Sequence, residues 1–319
     1  MKQLLRALRA PLISLALLLA SGSDSLAATA AQMPQRSLRF DGLTAFQLGP
    51  TGLGQFFGFC YRQRLYDSSS LLLKDSFVEL AVTTGISPAN VQPGLRLIVQ
   101  PLALLQLSAD YSTNIWFGNF GFLQSFASPQ AEVSTTALAA GEAAGHSYAA
   151  SGQELKLAIV LQGLYQQVAL RNKTSFLYTS MQLKDGDHYY YNFASDLLLH
   201  NDSWIMFNDT DLVYLTDYGL AAGMRVTLMQ RFAPAAVATR NPQPAQDILQ
   251  KQGPMLRLGP LLAWRISDQL HPLFRAPTLI VIANWWLRHP WRSQSLQQQL
   301  FPYLAIAFSF EGELWHSNK

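Results

Sequence analysis

The stretch Tyr303–Trp315 constrains this chain more than any other. Leu304, Ile306, Phe308, Phe310 and Leu314 are apolar; the alternate positions Tyr303, Ala305, Ala307, Ser309, Glu311 and Glu313 are small, polar or charged. A period of two belongs to an extended strand, whose successive side chains point to opposite faces. Such a strand has two homes. In a soluble sandwich the apolar face looks into a protein core, whereas in a closed sheet that crosses a bilayer it looks out at lipid.

The same alternation recurs along the chain. Phe57, Phe59 and Tyr61 oppose Gly58, Cys60, Arg62 and Arg64; Leu105, Leu107, Ala109 and Tyr111 oppose Gln106, Ser108 and Asp110. Leu155, Leu157, Ile159 and Leu161 oppose Glu154, Lys156 and Gln162, and Leu256, Leu258, Leu262 and Trp264 oppose Arg257, Gly259, Ala263 and Arg265. Turn chemistry divides the chain into twelve expected strands: 37–47, 53–66, 72–86, 92–101, 103–118, 153–163, 166–182, 203–215, 218–231, 254–266, 275–288 and 300–314. Alternation is poorer in 166–182, 203–215 and 275–288. No convincing helical periodicity interrupts the series.

Composition favours lipid over a soluble core. Half of the residues are hydrophobic and 13% are charged, against about 25% in a typical soluble domain. The N-terminus reads as a secretory leader: basic Lys2, Arg6 and Arg9, an apolar run from Leu12 to Ala20, and small residues offering cleavage at Ser25-Leu26-Ala27 or Ala28-Thr29-Ala30. That run is short for a membrane helix, which needs about 20 apolar residues. Without the leader the charges nearly balance, and no concentrated basic patch points to nucleic acid. The expected organisation is a signal peptide over 1–30, a periplasmic lead-in over 31–36, strands over 37–315, and a tail over 316–319. The single cysteine, Cys60, excludes an internal disulfide framework and reads as a small buried apolar residue.

Connections sort by parity. If the first strand runs upward, those after odd strands (48–52, 87–91, 119–152, 183–202, 232–253 and 289–299) share one side and include every long one. The others (67–71, Pro101–Leu102, 164–165, 216–217 and 267–274) are tight, which matches long external loops and short periplasmic turns. The loops 119–152 and 233–253 read as flexible or weakly ordered from composition. The 183–202 loop, with Tyr189, Tyr190, Tyr191 and Phe193, reads as a hairpin continuing above the membrane. Tyr66, Trp116, Phe117, Trp204, Tyr214, Trp264, Trp291 and Trp315 lie where interfacial aromatic girdles are expected.

With its leader, its alternating strands and the ending Phe308-Ser309-Phe310-Glu311-Gly312-Glu313-Leu314-Trp315, the chain resembles bacterial outer-membrane β-barrel proteins. The resemblance implies an all-β, antiparallel up-and-down barrel of about twelve strands in a Gram-negative outer membrane. It also implies outer-membrane lipid around the barrel and recognition of the last strand by the barrel-assembly machinery. His316–Lys319 run beyond the terminal aromatic of that pattern. The architecture hosts pores, transporters, enzymes and adhesins alike.

Charges on lipid cost about 2–4 kcal/mol at mid-bilayer for Arg, so the charged residues are expected at lumen parity. The candidates are Arg62, Arg64, Glu79, Arg96, Asp110, Glu154, Lys156, Arg171, Arg225, Arg257, Arg265, Glu311 and Glu313. This mildly basic set suits a narrow aqueous passage for small solutes, or a salt-bridge network that locks a closed barrel serving as a mount for surface-binding loops. Arg39 is a plausible partner for Glu311 and Glu313 where the last strand meets the first. His200-Asn201-Asp202-Ser203 holds hydrolase residue types, but neighbours on one loop do not form a triad. Asp185, Asp187 and His188, and Asn208, Asp209 and Asp211, read as solvated turns rather than metal sites. The tripeptides Asn172-Lys173-Thr174, Asn201-Asp202-Ser203 and Asn208-Asp209-Thr210 match a glycosylation pattern by chance. Without a phosphate loop, dinucleotide fingerprint or zinc motif, no cofactor is expected.

Overall fold

The structure, a computed structural model, describes residues 33–232, 253–267, 269–271, 274–293 and 300–317. Its elements in chain order are β1 (Arg36–Leu48), β2 (Gly52–Arg64), β3 (Phe77–Ile86), β4 (Asn90–Leu102), β5 (Leu105–Phe117), β6 (Ser125–Phe126) and α1 (Thr135–Ala143). There follow β7 (Ala149–Tyr165), β8 (Val168–Met181), β9 (Tyr189–Asn192), β10 (Leu197–His200), β11 (Ser203–Leu215) and β12 (Leu220–Arg231). The last are β13 (Met255–Arg265), β14 (Gln269–His271), β15 (Phe274–Arg288) and β16 (Tyr303–Ser317).

Twelve of these strands form one closed antiparallel barrel in the ring order β1-β2-β3-β4-β5-β7-β8-β11-β12-β13-β15-β16. Pairing of β1 with β16 closes it, from Arg36↔Ser317 to Leu48↔Leu304. Barrel strands run from 10 residues in β3 to 17 in β7, enough to cross a bilayer when tilted. Closure leaves no unpaired edge in the lipid, where nothing could satisfy one. No helix among the described residues is long and apolar enough to cross a membrane.

The alternation resolves the ambiguity of the last strand. Phe59 is 61% exposed and Val82 63%, while their neighbours Cys60 and Ala81 are 2% and 1% exposed. Large apolar side chains cover the outside and polar ones fill the inside, the reverse of a soluble sandwich. The strands with poor alternation have a physical reason. On the inner face Leu164, Ala169, Val213, Leu215, Ala221, Leu261, Ala263 and Ile280 form an apolar cluster within the lumen. On the outer face, β8 and β11 carry Asn172, Thr174, Asn208 and Thr210.

Several expectations need correction. The third strand begins at Phe77, because 70–76 form turns that fold against Pro101–Ala103, with Ser76 Oγ donating to Pro101 O at 2.8 Å. The loop 119–152 is not structureless: it contains β6 and α1, the latter N-capped by Ser134, whose hydroxyl accepts from Ala137 N. The hairpin β9–β10 pairs with β6 in a small three-stranded sheet over the barrel mouth rather than extending its parent strands upward. β16 runs on through His316 to Ser317, so that part of the expected tail is strand. Trp116 and Trp291 pack against the cap interior instead of joining a girdle. The 1–30 leader and nearly all of the 233–253 loop lie outside the described residues.

Candidate functional site

The end of the barrel carrying the short turns is packed shut. On one side Arg62 donates to Glu79 through Nε at 2.8 Å and Nη2 at 2.5 Å, beneath the Phe77 ring. Arg39 pairs with Glu311 across the closing strands, and Arg275 reaches Glu313 at 2.8 Å. Arg64, at the rim, bonds Met33 O and pairs with Asp67. On the other side lies the apolar cluster, with Arg265 buried near the end of β13. A lipid-facing charge would find no such partners; inside the barrel each desolvated charge meets its opposite.

At mid-height the packing opens into a cavity of about 610 Å³. Glycine lets its wall pack closely. A Cβ on Gly58 would stand 2.6 Å from Asp41 Oδ1, one on Gly85 2.9 Å from the Phe56 ring, and one on Gly94 2.6 Å from Tyr111 O. Charges line the rest. Arg96 is held by Asp41 at 2.7 Å, and Arg225 by Asp211 through Nε at 2.6 Å and Nη2 at 2.9 Å, with Arg171 3.7 Å from the same carboxylate. Glu154 accepts from Gln92 at 2.6 Å and Asp209 from Thr227 at 2.6 Å. Lys156, Lys173 and Asp110 also face the cavity, and they make no hydrogen bond or ion pair among the described residues. Arg257 lies higher, its guanidinium 4.2 Å from the Tyr303 ring centre and 5.4 Å from that of Trp286.

The structure therefore brings Arg96, Asp110, Glu154, Lys156, Arg171 and Arg225 together around the cavity. Arg62, Arg64, Glu79, Arg265, Glu311 and Glu313 sit in the closed end below it. Sequence reasoning missed Asp41, Lys173, Asp209 and Asp211. Parity on β1, β8 and β11 was the signal that could have found them, and the polar outer residues of β8 and β11 obscured it.

The opposite mouth is roofed by the cap. Ala194, at the tip of the β9–β10 hairpin, lines the cavity. The neighbouring Phe193 ring occupies the place a Cβ on Gly52 would take, at 2.3 Å, and meets Phe122 edge-on at 4.7 Å. The hairpin springs from between β8 and β11 and touches β2, nearly half-way round the ring. It thus spans the mouth.

Asp196 fastens it. Its carboxylate, 3% exposed, accepts from Arg292 Nε at 2.7 Å, Arg292 Nη2 at 2.8 Å and Tyr191 Oη at 2.8 Å. His289 Nε2 donates to Asp196 O at 3.0 Å, while its Nδ1 accepts from the backbone N–H groups of Trp291 and Arg292. That fixes the neutral tautomer. Burial pushes the His289 pKa down to about 4, against the opposing pull of Asp196. Burial disfavours the charge on Arg292 as well, but its bonds to Asp196 win and raise its pKa. Arg292 also reaches Thr135 on α1, tying the helix to the same point.

Two other arrangements matter. On the lipid face Asn172 Nδ2 donates to Asn208 Oδ1 at 3.1 Å and Thr210 Oγ1 at 2.8 Å, while Asn208 Nδ2 donates to Asn172 Oδ1 at 3.1 Å and Thr174 Oγ1 at 2.7 Å. Two of the three chance sequons thus form a mutually satisfied polar island, while the Asn201 side chain bonds the Met181 backbone. In the loop 200–203, Ser203 Oγ donates to the backbone carbonyl of His200, not to its ring, and His200 Nδ1 meets Asn201 O. No serine–histidine pair forms there. Asn208 faces outward while Asp209 and Asp211 face inward, so those three do not converge on an ion.

A closed twelve-stranded antiparallel barrel with an apolar exterior, a polar lumen and long connections on one side has the architecture of an outer-membrane β-barrel. No protein-family model and no curated protein matches the chain. Among solved structures it is similar to CdiB from Acinetobacter baumannii, with 9% identity and a TM-score of 0.37, covering 88% of this chain and 60% of that one. It is also similar to BamA from Haemophilus ducreyi lacking POTRA domains 1–3, with 7% identity, a TM-score of 0.39, and 87% and 70% of the two chains covered. A third is LpxR from Salmonella typhimurium, with 9% identity, a TM-score of 0.39, and 86% and 99% covered. The chain spans less than two thirds of CdiB.

Proposed function

We propose that this protein is a gated passage for small solutes in a Gram-negative outer membrane, exported by its 1–30 leader and inserted by assembly machinery that reads β16. The carrying observation is the mid-lumen cavity. A barrel built only as a scaffold gains from filling its interior. This one keeps about 610 Å³ open and leaves Lys156, Lys173 and Asp110 facing it. The β9–β10 hairpin is the outer gate, and the apolar cluster with the Arg62–Glu79 network is the inner one. Basic groups outnumber acidic ones along the lumen, which favours anions.

A second reading has an observation of its own. Both ends are closed and the cap is folded, as suits a barrel that merely carries its loops. Planar-bilayer recording separates them. The passage reading expects rare openings in the full chain and frequent ones when residues 189–200 are replaced by a short Gly-Ser linker. Silence from both proteins, with heat-modifiable migration intact, leaves only the mount.

A further inference from the structure

Resting on the reading of the lumen as a solute passage, we propose that its central cavity is a binding site for a small zwitterion. Such a ligand carries a carboxylate for Lys156 and Lys173 and an ammonium, a few bonds away, for Asp110.

Every other charge of the cavity already has a partner. Arg96 has Asp41, Arg225 and Arg171 share Asp211, Glu154 has Gln92, and Asp209 has Thr227. Glu154 and Asp209 meet only neutral donors and keep their negative charge in the cavity, while Lys156, Lys173 and Asp110 make neither hydrogen bond nor ion pair among the described residues. They are neighbours: Asp110 on β5 stands directly opposite Lys156 on β7, and Lys173 lines the same cavity. Yet no two of the three touch. A dianion would suit the lysines and be repelled by Asp110, and a dication would meet two ammoniums. A zwitterion satisfies all three. The cavity volume, about 610 Å³, is of the size that small-ligand sites occupy. Phe56 and Phe207 on its wall give the ligand's carbon chain a place to lie.

Three four-carbon probes differ only in their ends: γ-aminobutyrate, succinate and putrescine. Calorimetric titration of the folded full-length barrel in detergent should rank γ-aminobutyrate first, succinate second and putrescine last. Lys173→Gln should weaken both carboxylate probes by about tenfold or more, the scale of a lost hydrogen bond to a charged group. Asp110→Asn should weaken γ-aminobutyrate by a similar factor while strengthening succinate. That crossover is a readout that misfolding cannot mimic, since a damaged cavity loses both ligands together. Succinate binding as tightly as γ-aminobutyrate, or an Asp110→Asn variant that treats the two alike, overturns the zwitterion in favour of a plain anion site. No heat from any probe overturns the site altogether. Bilayer current without probe binding sinks this inference and spares the passage; probe binding without current does the reverse.

Discussion

Asp196 is where the cap can be unfastened with a single change. Asp196→Ala removes the two hydrogen bonds from Arg292 and the one from Tyr191, and leaves a guanidinium that is 14% exposed with the Thr135 and Tyr191 hydroxyls beside it. Breaking a buried pair in this way typically costs about 3–5 kcal/mol. Arg292 regains some water, so the low end, about 3 kcal/mol, is the better figure. The barrel itself is untouched, so the cost falls on docking of the hairpin, and the undocked population should rise by roughly a hundredfold, at about 1.4 kcal/mol per factor of ten. The chain carries its own reporter. Cys60, the sole cysteine, lies on the lumen side, 3.3 Å from Asp41 Oδ2 and 3.4 Å from Arg96 Nη2, two residues that line the cavity. A membrane-impermeant methanethiosulfonate added outside reaches it only past the hairpin. Where reclosing outruns reaction, the labelling rate tracks the open population, so Asp196→Ala should label about a hundredfold faster. Arg292→Ala should behave alike, and the double variant should add little to either, because both break the same contact. A labelling rate within twofold of the parent, in a barrel that still migrates as folded, would falsify the latch.

Other expectations follow from the same geometry. His289 is neutral when docked, with its pKa pushed down to about 4, and it regains an ordinary value near 6.5 when the cap opens. The open state therefore binds the extra proton. Docking is fully supported above about pH 6.5 and weakens as pH falls toward 4, by up to about 3 kcal/mol. Asp196, Arg292 and Arg231 are the charges facing the ring; His289→Gln should flatten the ratio of its Cys60 labelling rate to the parent's at neutral pH and make that ratio fall below pH 6. On the lipid face, Asn172→Leu or Asn208→Leu alone should each cost about 1–3 kcal/mol by orphaning the other amide. The double variant should be less damaging than the sum, measured by unfolding in lipid vesicles. Gly259→Ala places a Cβ 1.9 Å from Ala283 O, a backbone atom that cannot swing away. Pairing of β13 with β15 should suffer, seen as a lowered temperature for loss of heat-modifiable migration.

The twelve staves were legible because the barrel writes its two solvents into alternate positions. Phe59 beside Cys60, and Val82 beside Ala81, need no tertiary information to be sorted. Which side carries the long loops was equally legible, since parity counts turns and not contacts. Legibility failed where one face broke the rule for a reason lying on another strand. Asn172 and Asn208 look misplaced on a lipid face until β8 and β11 are set side by side and the two amides pair. Val213 and Leu215 look misplaced in a lumen until Leu164, Ala221 and Ile280 close round them. The 119–152 loop, judged by its Ala and Ser content, concealed a helix whose position depends on Arg292 reaching across to Thr135.

The chain's own pattern determined that it would be a closed sheet with lipid outside. A period of two allows each strand only one division of its faces, and a bilayer tolerates no open edge. The pattern also determined that the charged residues would be gathered inside. Whether that interior would be open or shut was decided only by the tertiary structure. The covered mouth rests on the β9–β10 hairpin crossing to Gly52 and on Asp196 meeting Arg292 from a loop 96 residues away. Those contacts are made between side chains far apart in sequence, and local periodicity carries no record of them.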